Sequence, residues 1–186
     1  MNGEVIQPGE KFTYLKFYKP RGIESTLNKS IQGNLSTFIK RNEKLFPVGR
    51  LDKDSEGLMI LTNDGNFYKH VTSKNNNVEK EYIVAVGKPV TEEFIGKMSA
   101  GIKIMGKITK PAKLHQPSSI NPYTFNIILT EGMNRQIRRM CYKLGYEVLS
   151  LKRIRIGNIR SEGLAEGRQE EIKSEFISQS FRNTIS

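Results

Sequence analysis

Cysteine, histidine and acidic side chains are all scarce in this chain. Cys141 is the only cysteine among 186 residues, so no internal disulfide can form and the chain suits a reducing cytosol. His70 and His115 are the only histidines, and neither stands at ligand spacing from the other or from Cys141. No metal centre is expected from them, and each reads as a surface or packing residue. No apolar run is long enough to span a bilayer, and the polar start lacks the charged-then-apolar form of a signal peptide. No membrane-spanning segment and no internal repeat are expected. Asp and Glu number 19 against 30 Lys and Arg, which leaves a formal charge of +11. Such an excess favours a polyanionic partner, whether RNA, DNA or a charged membrane surface. What is present is a hydrophobic fraction of 37%, enough for a core of ordinary size, in a length that suits one or two small domains.

Periodicity gives a coarse map. Residues 12–18 alternate aromatic and polar and predict a strand, ended by Pro20 and Gly22. Residues 34–40 read as a short helix, and 58–61 as a short buried strand. Residues 64–73 predict a helix with Phe67, Tyr68 and Val71 as its apolar contacts. A strand follows over 82–86, then a helix capped by Thr91 with Phe94, Ile95 and Met98 on one face. Residues 102–107 predict a hairpin around Gly106, and 123–129 another strand. Residues 135–144 predict a helix stopped by Gly145, and 146–159 a long strand region broken at Gly157. Strands outnumber helices and several follow tight turns. The expected class is α+β, a mainly antiparallel sheet with helices on one side.

The stretch Gly49-Arg50-Leu51-Asp52-Lys53-Asp54-Ser55-Glu56-Gly57-Leu58 sets one Arg and one Asp at period-two spacing between apolar runs. A carboxylate and a guanidinium near apolar flanks are costly to bury unless each has a partner, and such pairs gather at functional sites. On its own, Arg-x-Asp reads as a charged hairpin loop between two strands. Three further segments stand with it: Lys19-Pro20-Arg21-Gly22, Glu79-Lys80-Glu81-Tyr82, and Gly132-Met133-Asn134-Arg135-Gln136-Ile137-Arg138-Arg139-Met140. Together, in this order, they resemble the RNA pseudouridine synthases, in the branch of small-subunit synthase A and large-subunit synthases B, E and F. Four motifs in order are far more specific than one. Lys88-Pro89-Val90-Thr91-Glu92-Glu93-Phe94 and Ser99-Ala100-Gly101 resemble the large-subunit synthase F type more than the others.

The resemblance implies a pseudouridine synthase fold: a mixed, bifurcated, mainly antiparallel sheet flanked by helices, with the active cleft across its middle. Residues 12–168 would be the catalytic domain. Residues 1–11 read as a remnant of, or linker from, an RNA-binding module of the ribosomal-protein-S-four type, which most members carry. The chain is then either a minimal form or one shortened at its start. Residues 169–186 read as a C-terminal helix and polar tail, and they depart from the family's usual ending.

The implied reaction detaches uracil from its ribose, turns it, and rejoins it through carbon, with no cofactor. Breaking a glycosidic bond needs a well-placed carboxylate, and the resemblance makes Asp52 that residue. Attack on the sugar, attack on the base and removal of a ribose proton all stay open for it. Asp54 is the rival carboxylate and reads as a loop residue. Arg138 is implied as the partner that keeps Asp52 ionised, with Arg135 and Arg139 turned to phosphate. Tyr82 is implied to stack on the uracil, Arg50 to enter the RNA stack when the base flips out, and Leu151 to floor the pocket, with Leu149 and Ile154 also available. Lys152, Arg153 and Arg155, with Lys19, Arg21, Lys80, Arg135 and Arg139, would form a basic channel for phosphate, with Arg153 and Arg155 on one strand face. The expected partner is ribosomal RNA, large-subunit most of all, with transfer RNA as a possible second substrate, and the chain is expected to act as a cytoplasmic monomer. A non-catalytic RNA-binding or ribosome-assembly protein of the same fold is the alternative. A nuclease would want clustered acidic or His metal ligands, which the sequence does not offer.

Overall fold

The computed structural model describes residues 11–115 and 121–181. In chain order it has β1 (Tyr14–Lys19), β2 (Phe46–Pro47), β3 (Glu56–Thr62), α1 (Gly65–Thr72), β4 (Lys80–Val86), α2 (Glu92–Ala100), β5 (Lys103–Ile104) and β6 (Lys107–Ile108). β7 (Lys113–His115), β8 (Thr124–Leu129), α3 (Gln136–Lys143), β9 (Val148–Ile156), β10 (Ile159–Arg160), β11 (Gln169–Glu171) and α4 (Ser174–Phe181) complete it.

Alternation along β1 and β3 fixes the layering, because successive side chains of a strand point to opposite faces. Leu15, Phe17, Met59 and Leu61 enter one apolar core, while Tyr14, Leu58 and Ile60 enter a second. A strand that is apolar on both faces must be covered on both. Phe67 and Val71 of α1 and Ile177 and Phe181 of α4 cover one face. Phe94 and Met98 of α2, with Ile137, Met140 and Cys141 of α3, cover the other. The expectation of helices on one side is therefore corrected: they divide between the two faces. Burial in the core that holds Leu15, Phe17, Met59 and Leu61 pushes the Cys141 thiol up to about 12, which leaves it unreactive.

The main sheet runs β11-β1-β3-β9-β4-β8-β7, with β2 added on β3 and β10 on β9. Every pairing is antiparallel except β3 with β9, which is parallel and holds only the pairs Glu56↔Lys152 and Gly57↔Arg153. Two antiparallel half-sheets thus meet at a short seam. Gly57 makes the seam possible. Its φ is +104°, and a Cβ there would lie 2.8 Å from the Arg153 amide nitrogen and nearer still to the Arg153 carbonyl oxygen.

Local chemistry ends the elements where the sequence suggests. Asp64 Oδ1 accepts from Asn66 N and Phe67 N at the start of α1, and its Oδ2 accepts from the Tyr14 hydroxyl at 2.6 Å. The Thr91 hydroxyl accepts from Phe94 N at the start of α2. Met105 and Gly106, both at positive φ, turn the β5–β6 hairpin. Residues 34–40 give only a 3-10 turn over Leu35–Thr37. Tyr68 is exposed and meets Phe46 edge-on instead of entering the core. β11 pairs with β1, and α4 packs on the sheet, so the segment after residue 168 belongs to the same structural unit. Of the expected module remnant, residues 1–11, all but Lys11 lies outside the described residues, as does the end of the expected tail, 182–186. No helix among the described residues is long and apolar enough to cross a membrane.

Candidate active site

The Arg50–Asp52 motif lies on the connection from β2 to β3, so the hairpin-loop reading of its backbone is correct. What sets this loop apart is how its carbonyls are held. The Ser25 hydroxyl donates to Leu51 O at 2.6 Å and accepts from Leu51 N at 3.0 Å. Ser55 N donates to Asp52 O, closing a turn over 52–55. Gly22 N donates to Lys53 O at 2.8 Å, and Lys19 Nζ reaches the same oxygen at 3.5 Å. Arg138 Nη2 donates to Asp54 O at 3.1 Å. Four consecutive carbonyls are thus met by separate parts of the chain. A loop tied at each peptide holds its side chains in one orientation, as preorganised chemistry requires.

Asp52 projects from this loop with its side chain 30% exposed, at a cleft of about 470 Å³. β4 and β9 supply the floor. Tyr82 and Leu151, both nearly buried, line it with Lys80 and Arg153. Tyr82 stands directly opposite Arg153 in the β4–β9 register. Leu149 is exposed and Ile154 does not line the cleft, so Leu151 is the apolar floor residue among the three candidates. Arg50 is exposed at the rim, between this cleft and an adjoining open groove walled by Phe46, Pro47 and Tyr68.

Asp52 meets a different arginine from the one expected. Arg135 Nη1 lies 3.9 Å from Asp52 Oδ2 and 3.2 Å from Asp54 Oδ2. Arg138 instead bonds backbone: Nη1 donates to Val148 O and Nη2 to Asp54 O, while Nε is buried with no partner. Burial and the nearby Arg135 hold the Arg138 guanidinium below its usual range. The reason for the exchange is local backbone. Arg135 is not on the helix face but at the cap before α3, in the left-handed region at φ +51°. That conformation is uncommon for a residue with a Cβ, and here it turns Arg135 to the acidic loop. Arg139 is exposed and donates to Asn134 O and Oδ1.

The expected basic channel is reduced by burial. Lys19 is fully buried and donates to Pro20 O and Ile23 O as well as Lys53 O. It is a clamp under the motif loop, and burial brings its pKa down to about 8. Lys80 is half-buried and donates to Val71 O and Val78 O. Lys152 is half-buried, with Nζ 5.0 Å from the Tyr18 ring centre. Arg153 is 2% exposed. Arg155 is consumed by Glu81 at 2.8 Å, Glu79 at 3.0 Å and Gly157 O. Arg153 and Arg155 do not share a face. The register slips between Glu81 and Tyr82, so Arg153 opposes Tyr82 while Arg155 opposes Glu81. A bulge inserts one residue and reverses the alternation. Arg21, Arg50, Arg135 and Arg139 remain exposed. Sequence reasoning missed the Ser25 clamp, for which no local signal exists, and the structural use of Lys19, whose signal was the motif Lys19-Pro20-Arg21-Gly22.

A family model described as RNA pseudouridylate synthase matches residues 13–143. The chain belongs to the RNA pseudouridylate synthase family. Among its relatives, the dual-specificity RNA pseudouridine synthase RluF of Escherichia coli (strain K12) is 41% identical over 184 residues, covering 98% of this chain and 62% of the relative. The chain thus spans less than two thirds of the length of that relative. The ribosomal large subunit pseudouridine synthase B of Bacillus subtilis (strain 168) is 33% identical over 177 residues, covering 92% of this chain and 72% of the relative. A crystal structure of a pseudouridylate synthase superposes with a TM-score of 0.84 at 32% identity, covering 92% of this chain and 74% of its own. A chain of an archaeal box H/ACA sRNP Nop10–Cbf5 complex shares the fold, at a TM-score of 0.55 and 18% identity. The mixed, bifurcated sheet expected from the four motifs is the fold these pseudouridylate synthases share.

Proposed function

We propose that this chain converts a uridine in a stem-loop of ribosomal RNA to pseudouridine, with Asp52 as the essential carboxylate. The observation that carries the reading is the loop of Asp52, fixed carbonyl by carbonyl at the mouth of a cleft floored by Tyr82 and Leu151. A cleft of about 470 Å³ between an aromatic and an aliphatic side chain suits a planar base turned out of its helix. Tyr82 would stack on that base and Leu151 would floor the pocket beside it. Arg50, free at the rim, would enter the gap left in the RNA. Arg135 would orient Asp52, and Arg138 would hold the loop. Arg21 and Arg139 would bind phosphate, with affinity that falls as salt rises. A pure binding protein has no use for a carboxylate in a channel for phosphate, which disfavours the non-catalytic alternative.

Large-subunit RNA is the favoured substrate, supported by the similarity to a ribosomal large subunit synthase. Transfer RNA is the second candidate. One chain supplies every part of the site, which suits a monomer, and a ribosomal substrate and a lone buried cysteine suit the cytoplasm. The test is tritium release from RNA labelled at uracil C5, with large-subunit and transfer RNA transcripts, wild type beside Asp52→Ala. Release by wild type alone supports the reading. Release by both chains removes Asp52 from its role, and release by neither favours a binding protein.

A further inference from the structure

Arg153 carries a full charge in the floor of the cleft without an acidic partner among the described residues. It is 2% exposed, its Nε donates to Leu58 O at 2.7 Å, and its Nη2 is buried with no partner at all. A charge at such depth is costly unless compensated, and a buried donor left empty in a native fold needs an explanation. Lys80 lines the same cleft two residues from Tyr82 on β4. Its ammonium has three hydrogens, and two carbonyls, of Val71 and Val78, receive it. Burial and the like charge of Arg153 bring Lys80 down to about 8. Two cations therefore share the floor of the cleft with the phenol ring of Tyr82 and the aliphatic side chain of Leu151.

Phosphate is the ordinary ligand for such a pair in an RNA-binding protein. Depth argues against it here. The exposed guanidiniums of Arg50 and Arg135 stand at the mouth, where a backbone phosphate can arrive. Arg153 lies beneath, opposite Tyr82 on the neighbouring strand. A base turned into the cleft comes against this floor, and uracil offers acceptor oxygens along its edge.

We infer that Arg153, with Lys80 beside it, is an electrostatic seat for the flipped uracil: the Arg153 guanidinium faces a carbonyl oxygen of the base, and the two cations hold the charge that the base carries once cut from ribose. This rests on the reading of the chain as a pseudouridine synthase. In that step the N1–C1′ bond breaks and its electron pair stays with the base, spread over N1, O2 and O4. The base turns, C5 forms the new bond to C1′, the C5 proton passes to solvent, and N1 takes up a proton. The product is an isomer and no co-reactant is consumed. A fixed cation aimed at charge that develops only during cleavage accelerates the reaction without tightening substrate binding.

Arg153→Met, Arg153→Lys, Lys80→Met and Lys80→Arg are compared with wild type by single-turnover tritium release, RNA affinity and thermal midpoint. Arg153→Met is expected to slow release by roughly 100-fold or more, the usual loss on removing one preorganised donor, with affinity within about threefold. Arg153→Lys restores part of the rate. Lys80→Met, which spares the Arg153 bond to Leu58 across the seam, slows release by about tenfold in the same pattern. Arg50, Asp52, Lys74, Tyr82, Glu131, Arg135 and Arg153 share the cleft with Lys80 and stay in place in Lys80→Arg. The kcat/KM of wild type should therefore fall above about pH 8, as Lys80 loses its proton, and Lys80→Arg should move that limb upward. Weaker RNA binding at an unchanged rate would make these cations phosphate contacts and overturn the inference. So would loss of rate only in step with the thermal midpoint, unrelieved by Arg153→Lys. Absence of release by wild type is a separate result, which sinks the reading of the activity itself.

Discussion

Replacing Gly57 by alanine should loosen the joint between the two half-sheets. The β3–β9 seam has two residue pairs, and Gly57 is in one of them. A Cβ would lie 2.8 Å from the Arg153 amide nitrogen and closer to its carbonyl oxygen. Both obstacles are backbone atoms, so no side chain can swing aside; the strands must part. Forced overpacking of this kind costs about 1–3 kcal/mol. The φ of +104° adds strain for any residue with a Cβ, about 1–2 kcal/mol by analogy with left-handed backbone. The sum, roughly 2–5 kcal/mol, corresponds to a fall in Tm of about 5–20 °C for a chain of this size. Gly163→Ala is the control. Gly163 also has positive φ, +75°, but nothing lies within 4 Å of its Cβ position, so it bears the strain without the overlap. Denaturant titration and calorimetry of both variants separate the two contributions. The seam adjoins Ser55 and carries Arg153, so Gly57→Ala should also slow tritium release at temperatures where it is still folded. Equal losses in Gly57→Ala and Gly163→Ala, or a loss under about 0.5 kcal/mol at Gly57, would refute the close approach as the cause.

Further outcomes follow from the site and its supports. Ser25→Ala leaves the buried amide and carbonyl of Leu51 without their partner; it should cost about 1–3 kcal/mol in denaturation and slow release more than it weakens RNA binding. Arg155→Met strands Glu81, whose side chain is 10% exposed, beside Glu79; a loss of about 3–5 kcal/mol is expected, with the salt dependence of RNA binding unchanged. Arg139→Ala should do the reverse, keeping stability while reducing the slope of log affinity against log salt by about 0.7–0.9. Lys19 and Lys80 are both brought down to about 8 from an ordinary 10.5. Between those values the unfolded chain binds more protons than the folded one, so these two groups make stability rise with pH from about 8 to 10.5. Thermal midpoints across that range should show the rise in wild type and lose it in a Lys19→Met, Lys80→Met chain.

The family and the fold class were legible in the order of residues. Local pattern carries them: Thr91 and Asp64 cap helices, Met105 and Gly106 turn a hairpin, and the four motifs stand in sequence. Burial was not legible, because it depends on neighbours far along the chain. Lys19, Lys80, Arg153 and Arg155 are as basic on paper as Arg21 and Arg139, yet tertiary packing turned them inward as clamps, cleft floor and ion-pair partner. One bulge opposite Glu81 and Tyr82, a feature of pairing between strands some 70 residues apart, put Arg153 and Arg155 on different faces. One left-handed residue gave Asp52 to Arg135 and left Arg138 to the backbone. Sequence alone determined which family the chain belongs to, since that depends on residue types at short spacing. Tertiary structure decided which charges stay exposed and which support the cleft, since burial and register are set by contacts between distant segments.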